Sequence, residues 1–174
     1  MIPFETYAKQ VEQHIERDYG IHVITRDVPD PFTGDLNGAE IHIDYAVKPE
    51  ERLFLLAHLF GHTVQWNTSN VDLAMGGLRK PPVSDDQMPI LMQYERDAAR
   101  YALQLFHQIG ITDADQWLSD YAACDEAYLM HFYRTGERLP SSTFWKDGSP
   151  IIQPRAIPPF TPVKRTSRND GIVI

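Results

Sequence analysis

The sequence predicts an α+β fold, mostly helical with one small antiparallel sheet. Three observations predict it. Four segments carry apolar residues at helical spacing. Two short segments, 21–25 (IHVIT) and 39–45 (AEIHIDY), alternate apolar and polar residues as half-buried strands do. The segment 49–66 (PEERLFLLAHLFGHTVQW) is apolar nearly all round after Arg52, which marks a central, buried helix.

Taken in order, residues 4–19 form an amphipathic helix, with Tyr7, Val11, His14, Ile15 and Tyr19 on one stripe and Gly20 as its stop. His14 reads as a partly buried packing residue. The two strands follow, joined across 29–38, whose prolines, glycines and Asn37-Gly38 are turn chemistry, so an antiparallel pair is expected. Ile41, Ile43 and Tyr45 share one face of the second strand, and Glu40, His42 and Asp44 share the other. His22 and His42 therefore read as solvent-facing, with His42 also a candidate for lining a cleft beside the next helix. That helix opens at Pro49, where a missing N–H costs nothing, and Glu50 and Glu51 suit its positive end. Residues 67–87 are an irregular excursion. A third helix spans about 88–109, with Ile90, Leu91, Tyr94, Ala98, Tyr101, Ala102, Leu105 and Phe106 apolar and Gly110 as its end. A fourth opens near Thr112-Asp113, carries Trp117, Tyr121, Cys124, Tyr128 and Phe132 as a core stripe, and ends at Gly136.

Residues 1–136 thus read as one domain of sufficient length for a sizeable core. Residues 137–174 hold six of the 13 prolines, with Lys164, Arg165 and Arg168 near the end. They read as an extended arm that contacts the domain itself or a partner. A net charge of −8 argues against a general nucleic-acid or anionic-membrane binder. The single cysteine, Cys124, excludes an intrachain disulfide and a cysteine-based zinc site. No apolar run approaches the roughly 20 residues that span a bilayer. The first ten residues lack the apolar core of a signal peptide, so a cytoplasmic protein is expected.

His58 and His62 stand one turn apart on the same face of the central helix. That is the spacing at which one rigid element offers two imidazole nitrogens to zinc, and buried imidazoles need a metal or polar partners. A third ligand is required. Glu95, flanked by the small Ala98 and Ala99 on the third helix, is the candidate and Asp97 the competing carboxylate; on spacing alone, a surface pairing of Glu95 with Arg96 or Arg100 is the favoured reading.

The string His58-Leu59-Phe60-Gly61-His62 followed by Glu95-Arg96-Asp97-Ala98-Ala99-Arg100-Tyr101-Ala102 resembles the paired motifs of the ImmA/IrrE family of zincin-like metallopeptidases. The family pattern is H-E-x-x-H, usually with Gly fourth, then E-x-E-A-N-x-F-A; the likeness covers about residues 4–110. It implies a zincin-like fold with the metal between two helices, zinc held by His58, His62 and Glu95, and water at the fourth position. Leu59 stands where the family has its general-base Glu, Ala99 where it has Asn, and Gln104-Leu105-Phe106-His107 where it has Leu-Leu-Met-Pro.

General acid–base help is worth about 10²- to 10⁴-fold, so a leucine there cripples the usual proteolysis while sparing the metal ligands. The catalytic residue is thus unknown; His42, Asp44, Asp97 or a residue of 67–87 are candidate replacements. Tyr94 and Tyr101 are candidate oxyanion donors, though core packing is their plainer role. Three readings follow. The first is a peptidase-impaired zinc-binding module that acts on or with a regulatory protein or peptide. The second is a metallohydrolase with a different base. The third is a metal-free fold in which Glu95 and backbone satisfy the histidines.

Overall fold

The second helix is the axis of the molecule: every residue from 53 to 66 is buried. The computed structural model describes residues 1–29, 32–76 and 80–165. Among them lie α1 (Phe4–Tyr19), β1 (His22–Arg26), β2 (Gly34–Leu36), β3 (Glu40–Asp44), α2 (Pro49–Thr68), α3 (Asn70–Met75), α4 (Met88–Gln108) and α5 (Asp115–Thr135), then a 3-10 turn at Ser141–Thr143. This is an α+β fold, as expected. No described helix is long and apolar enough to cross a membrane.

The helix boundaries follow local chemistry. Gly20 takes a left-handed φ of 66° and its N–H caps Glu16, which ends α1. Pro49 sits in the first turn of α2, with Glu50 and Glu51 beside the positive helix end. Gly136, φ 75°, ends α5. That helix starts at Asp115 without a side-chain cap, because Asp113 instead accepts the Tyr7 hydroxyl at 2.8 Å. The excursion after α2 holds α3, whose N-cap Ser69 accepts the Asp72 N–H at 3.1 Å.

The sheet corrects the expected antiparallel pair. It is mixed, in the order β1-β3-β2. β1 and β3 run parallel, Val23 beside Ile41 and Thr25 beside Ile43. β2, from the stretch read as a turn, supplies the antiparallel partner, with Asp35 opposite His42. Ile41 and Ile43 are fully buried on α1 and α2, whereas Tyr45 lies past the strand and is 72% exposed. His42 is buried and not solvent-facing, because Asp35 and Glu40 flank it at 3.7 and 3.2 Å and take its polar atoms out of water. His22 is exposed, as expected. His14 is part-buried and bonds to Gln108 at 3.0 Å. Ile90, placed on the apolar stripe of α4, is 55% exposed.

α2 lies on α4 at very short range. A Cβ at Gly61 would run into the Ala98 backbone, so only glycine permits this crossing. A second apolar cluster joins the first half of α4 to the second half of α5, through Leu91, Met92, Leu129 and Phe132. The described part of the arm wraps this body. Ile152, Ile157 and Phe160 pack on the main core, and Phe160 stacks on Tyr19 at 5.8 Å. Its backbone N–H groups are met in turn by Ser119, the Arg100 carbonyl, Asn67 and the Asn37 carbonyl. Lys164 pairs with Glu40 at 3.1 Å, and Arg168 lies outside the described residues.

Gly61→Ala tests the crossing. In an isolated helix the change is favourable by about 1 kcal/mol. Here the overpacked contact should reverse the sign and destabilise the protein by about 2–4 kcal/mol in urea unfolding. Unchanged or raised stability would contradict it.

Candidate metal centre

Gly61 sits three residues after His58 and one before His62, while Glu95 lies one turn before Ala98. The close helix crossing therefore brings these three side chains to one point. His58 Nε2 and His62 Nε2 are 3.0 Å apart, and Glu95 Oε2 lies 3.0 Å from His62 Nε2 and 3.3 Å from His58 Nε2. All three are largely shielded from solvent, and among the described residues they form a group able to hold a metal ion.

The neighbours fix the donor atoms. Gln65 is 2% exposed and its amide nitrogen donates to the Tyr94 carbonyl at 2.8 Å. Its oxygen therefore faces His62 Nδ1, 2.8 Å away, and accepts the proton there. A neutral His62 is then bare at Nε2, and that lone pair faces the Glu95 carboxylate. Two lone pairs at 3.0 Å repel unless a proton or a metal ion stands between them. Tyr94 also stacks on the His62 ring, centroids 4.5 Å apart, and accepts the Trp66 indole N–H at 2.9 Å. His58 stacks on Phe54 at 5.1 Å, but its Nδ1 is buried without a hydrogen-bond partner.

Charge is divided unevenly between two buried acids. Burial opposes ionisation of Glu95, yet the His62 and His58 rings outweigh it and hold its carboxyl down at about 2. Asp125 of α5 stands 3.7 Å from His58 Nε2 and is 3% exposed. Burial pushes its carboxyl up to about 7; His58 offsets part of this, and Glu95 and Glu126 add to it. Asp125 was not legible in the sequence, because it lies one position off the aromatic stripe that Tyr121, Cys124 and Tyr128 advertise.

The other candidates are elsewhere. Asp97 receives Arg100 at 3.2 Å and Arg155 at 2.7 Å, which makes it an anchor for the arm. Asp44 accepts the N–H groups of Val28 and Ala46, at 2.9 and 2.8 Å, and these hold its carboxyl below the usual range. His42 is engaged with Asp35 and Glu40 on the sheet. Tyr101 is a core residue. Leu59 is 2% exposed and part of the main core, where it packs against Gly34 of β2. Successive helix residues are about 100° apart, so the position after His58 faces the sheet and not α4.

A pocket of about 270 Å³ opens beside the group. His58, Glu95 and Asp125 line it together with Ala99 and Ala122 of the helices and Ile152 of the arm. Arg96 and Glu126, also on its wall, join α4 to α5 by an ion pair with Nε to Oε2 at 2.8 Å.

Two outcomes check this arrangement. Leu59→Glu should bury an unpaired carboxylate against the sheet and destabilise the protein by about 3 kcal/mol or more in urea; a neutral effect would place the side chain in solvent. For the metal-free protein, Asp125 binds its proton more tightly folded than unfolded. Its penalty is therefore full above pH 7 and fades as pH falls toward 4. Asp125→Asn should stabilise the chelator-treated protein at pH 8 by about 2–4 kcal/mol and by progressively less at lower pH. An equal effect at both ends of that range would contradict the assignment.

Compared with family models, curated protein sequences and solved structures, the chain matches none, so its chemistry is read from its own side chains.

Proposed function

We propose that this protein is a zincin-like metal-binding domain of the ImmA/IrrE kind, holding zinc through His58, His62 and Glu95, impaired as a peptidase and acting as a binding or regulatory module. The observation that carries the reading is the convergence of His58, His62 and Glu95 in a buried site, with the Gln65–His62 contact directing His62 Nε2 to the Glu95 carboxylate 3.0 Å away. Zinc sites favour this pattern, a ligating histidine whose other nitrogen donates to a fixed acceptor. Two nitrogens and one oxygen suit zinc, and bonds of about 2.0–2.1 Å at tetrahedral angles put donors about 3.3 Å apart. The triangle here has sides of 3.0, 3.0 and 3.3 Å. Bound zinc would supply Lewis acidity.

Loss of peptidase function is supported by Leu59. It lacks a proton-accepting atom, and it is part of the core, packed on Gly34 of β2. A second reading, a metallohydrolase with another base, is favoured by Asp125. It is a carboxyl near neutrality on the pocket wall beside His58, while Glu95 stays ionised, and such a split between neighbouring acids suits proton transfer.

Elemental analysis of untagged protein should find about one zinc per chain, and a chelator should lower the melting temperature. Glu95→Ala should abolish retention, and Gln65→Leu should weaken affinity by about 10- to 100-fold. Iron or manganese in place of zinc would keep the triad and overturn the metal assignment. No metal, with no chelator effect, would favour the metal-free fold. Chelator-sensitive hydrolysis lost in Asp125→Asn would favour the second reading over the first.

A further inference from the structure

The pocket beside the histidine–carboxylate group is walled on one side by the chain's own arm. Ser149, Pro150 and Ile152 line it, facing α4 and α5. This strap is tied down by buried groups of α5. The Ser149 N–H donates to Asp120 Oδ1 at 2.7 Å, and the Ile152 N–H donates to Ser119 Oγ at 3.1 Å. Ser119 and Asp120 are 1% and 6% exposed, so both acceptors are built into the body of the fold. Gln116 reinforces the tie by donating to both Asp120 and the Ser149 carbonyl, at 3.0 and 2.9 Å. Beyond the pocket, Arg100 donates to the Gln153 carbonyl at 3.0 Å, and the Arg155 N–H returns to the Arg100 carbonyl at 3.1 Å. The arm thus lies along α4 and α5 with the N–H groups of Ser149, Ile152 and Arg155 and the carbonyls of Ser149 and Gln153 met, much as a bound extended peptide would be held.

The space that remains is small. The pocket measures about 270 Å³. That falls below the roughly 300–1,000 Å³ of pockets that take drug-sized ligands. A peptide laid through a cleft rises about 3.3 Å per residue and needs an open run on both sides of the reacting bond. Here Ser149, Pro150 and Ile152 of the strap stand on one wall of the pocket. The wall offers Ala99, Ala122, Ala123, Pro150 and Ile152 to an apolar body, and the metal group gives a polar head one place to bind.

We propose that this pocket receives a small molecule with an anionic, metal-binding head and a short apolar body, and that residues 149–152, held on Ser119 and Asp120, set its size limit. The proposal rests on the metal reading above. Its ligand class differs from the extended polypeptide that the resemblance to metallopeptidases implies.

The test is calorimetric binding to the zinc-loaded full-length protein, with acetohydroxamic acid as the small probe and a tripeptide hydroxamate as the extended one. The small probe should bind, and the tripeptide at least tenfold more weakly than it. Ala122→Trp, which puts bulk on the α5 wall of the pocket at a residue that is not itself a metal donor, should keep one zinc per chain and lose acetohydroxamate binding. Asp120→Ala, which frees the Ser149 N–H, should narrow the gap between the two probes. If the protein retains metal but binds neither probe, or binds the tripeptide as tightly, the inference is overturned and the metal reading stands. Unchanged acetohydroxamate binding by Ala122→Trp has the same consequence. A protein that retains no metal overturns both.

Discussion

The contact between Gly61 and the backbone of Ala98 sets everything that follows. Two helices that pack through ordinary side chains stay about 8–10 Å apart. A glycine facing an alanine lets α2 and α4 come closer, and side chains that flank this contact on each helix then meet. Those residues are His58, His62 and Glu95. The site is therefore a consequence of packing before it is a matter of chemistry, and its geometry is set by rigid elements with a buried core on every side of α2.

The helix also sorts its neighbours by direction. His58 and His62 differ by about 40° around the axis, so both face α4, while Leu59 is about 100° from His58 and faces the sheet. Leu59 is thus a core residue, packed on Gly34, and a second acid near His58, after Glu95 of α4, comes from α5. Gln65, two buried hydrogen bonds from one amide, links the histidine helix to the Tyr94 carbonyl of α4 and fixes the imidazole tautomer on the way. Without a proton or a metal ion between them, His62 Nε2 and the Glu95 carboxylate, 3.0 Å apart, would be an expensive arrangement to bury.

The helices were legible because their punctuation is local. Gly20, Pro49 and Gly136 act through φ and a missing N–H, which a sequence states outright. The His58–His62 pair was legible through spacing, but Glu95 as their partner was legible only through the family resemblance, since spacing alone favoured an arginine partner for it. The sheet was not. β2 is three residues, Gly34–Leu36, set among turn-forming residues, and its pairing depends on β3 being close in space. His42 looked solvent-facing by alternation, yet Asp35 from β2 and Glu40 cover it. Asp125 was hidden for the opposite reason, since its aromatic neighbours announce a core stripe and the acid lies beside it. The arm was legible as extended by its prolines, but its seat on Ser119 and Asp120 depends on side chains 30 or so positions earlier.

The arm closes the loop between fold and site. It begins past α5, walls the pocket at residues 149–152 and crosses α4 near Arg100, and its described part reaches the turn after β2 at Arg165. Its removal would therefore alter both the shape of the pocket and the cover of the core. X-ray absorption at the zinc edge on protein purified without added metal or tag tests the coordination most directly. A nitrogen/oxygen shell at about 2.0–2.1 Å with the multiple-scattering signature of two imidazoles is the predicted result. Absence of bound zinc, or a shell with no imidazole contribution, would contradict it.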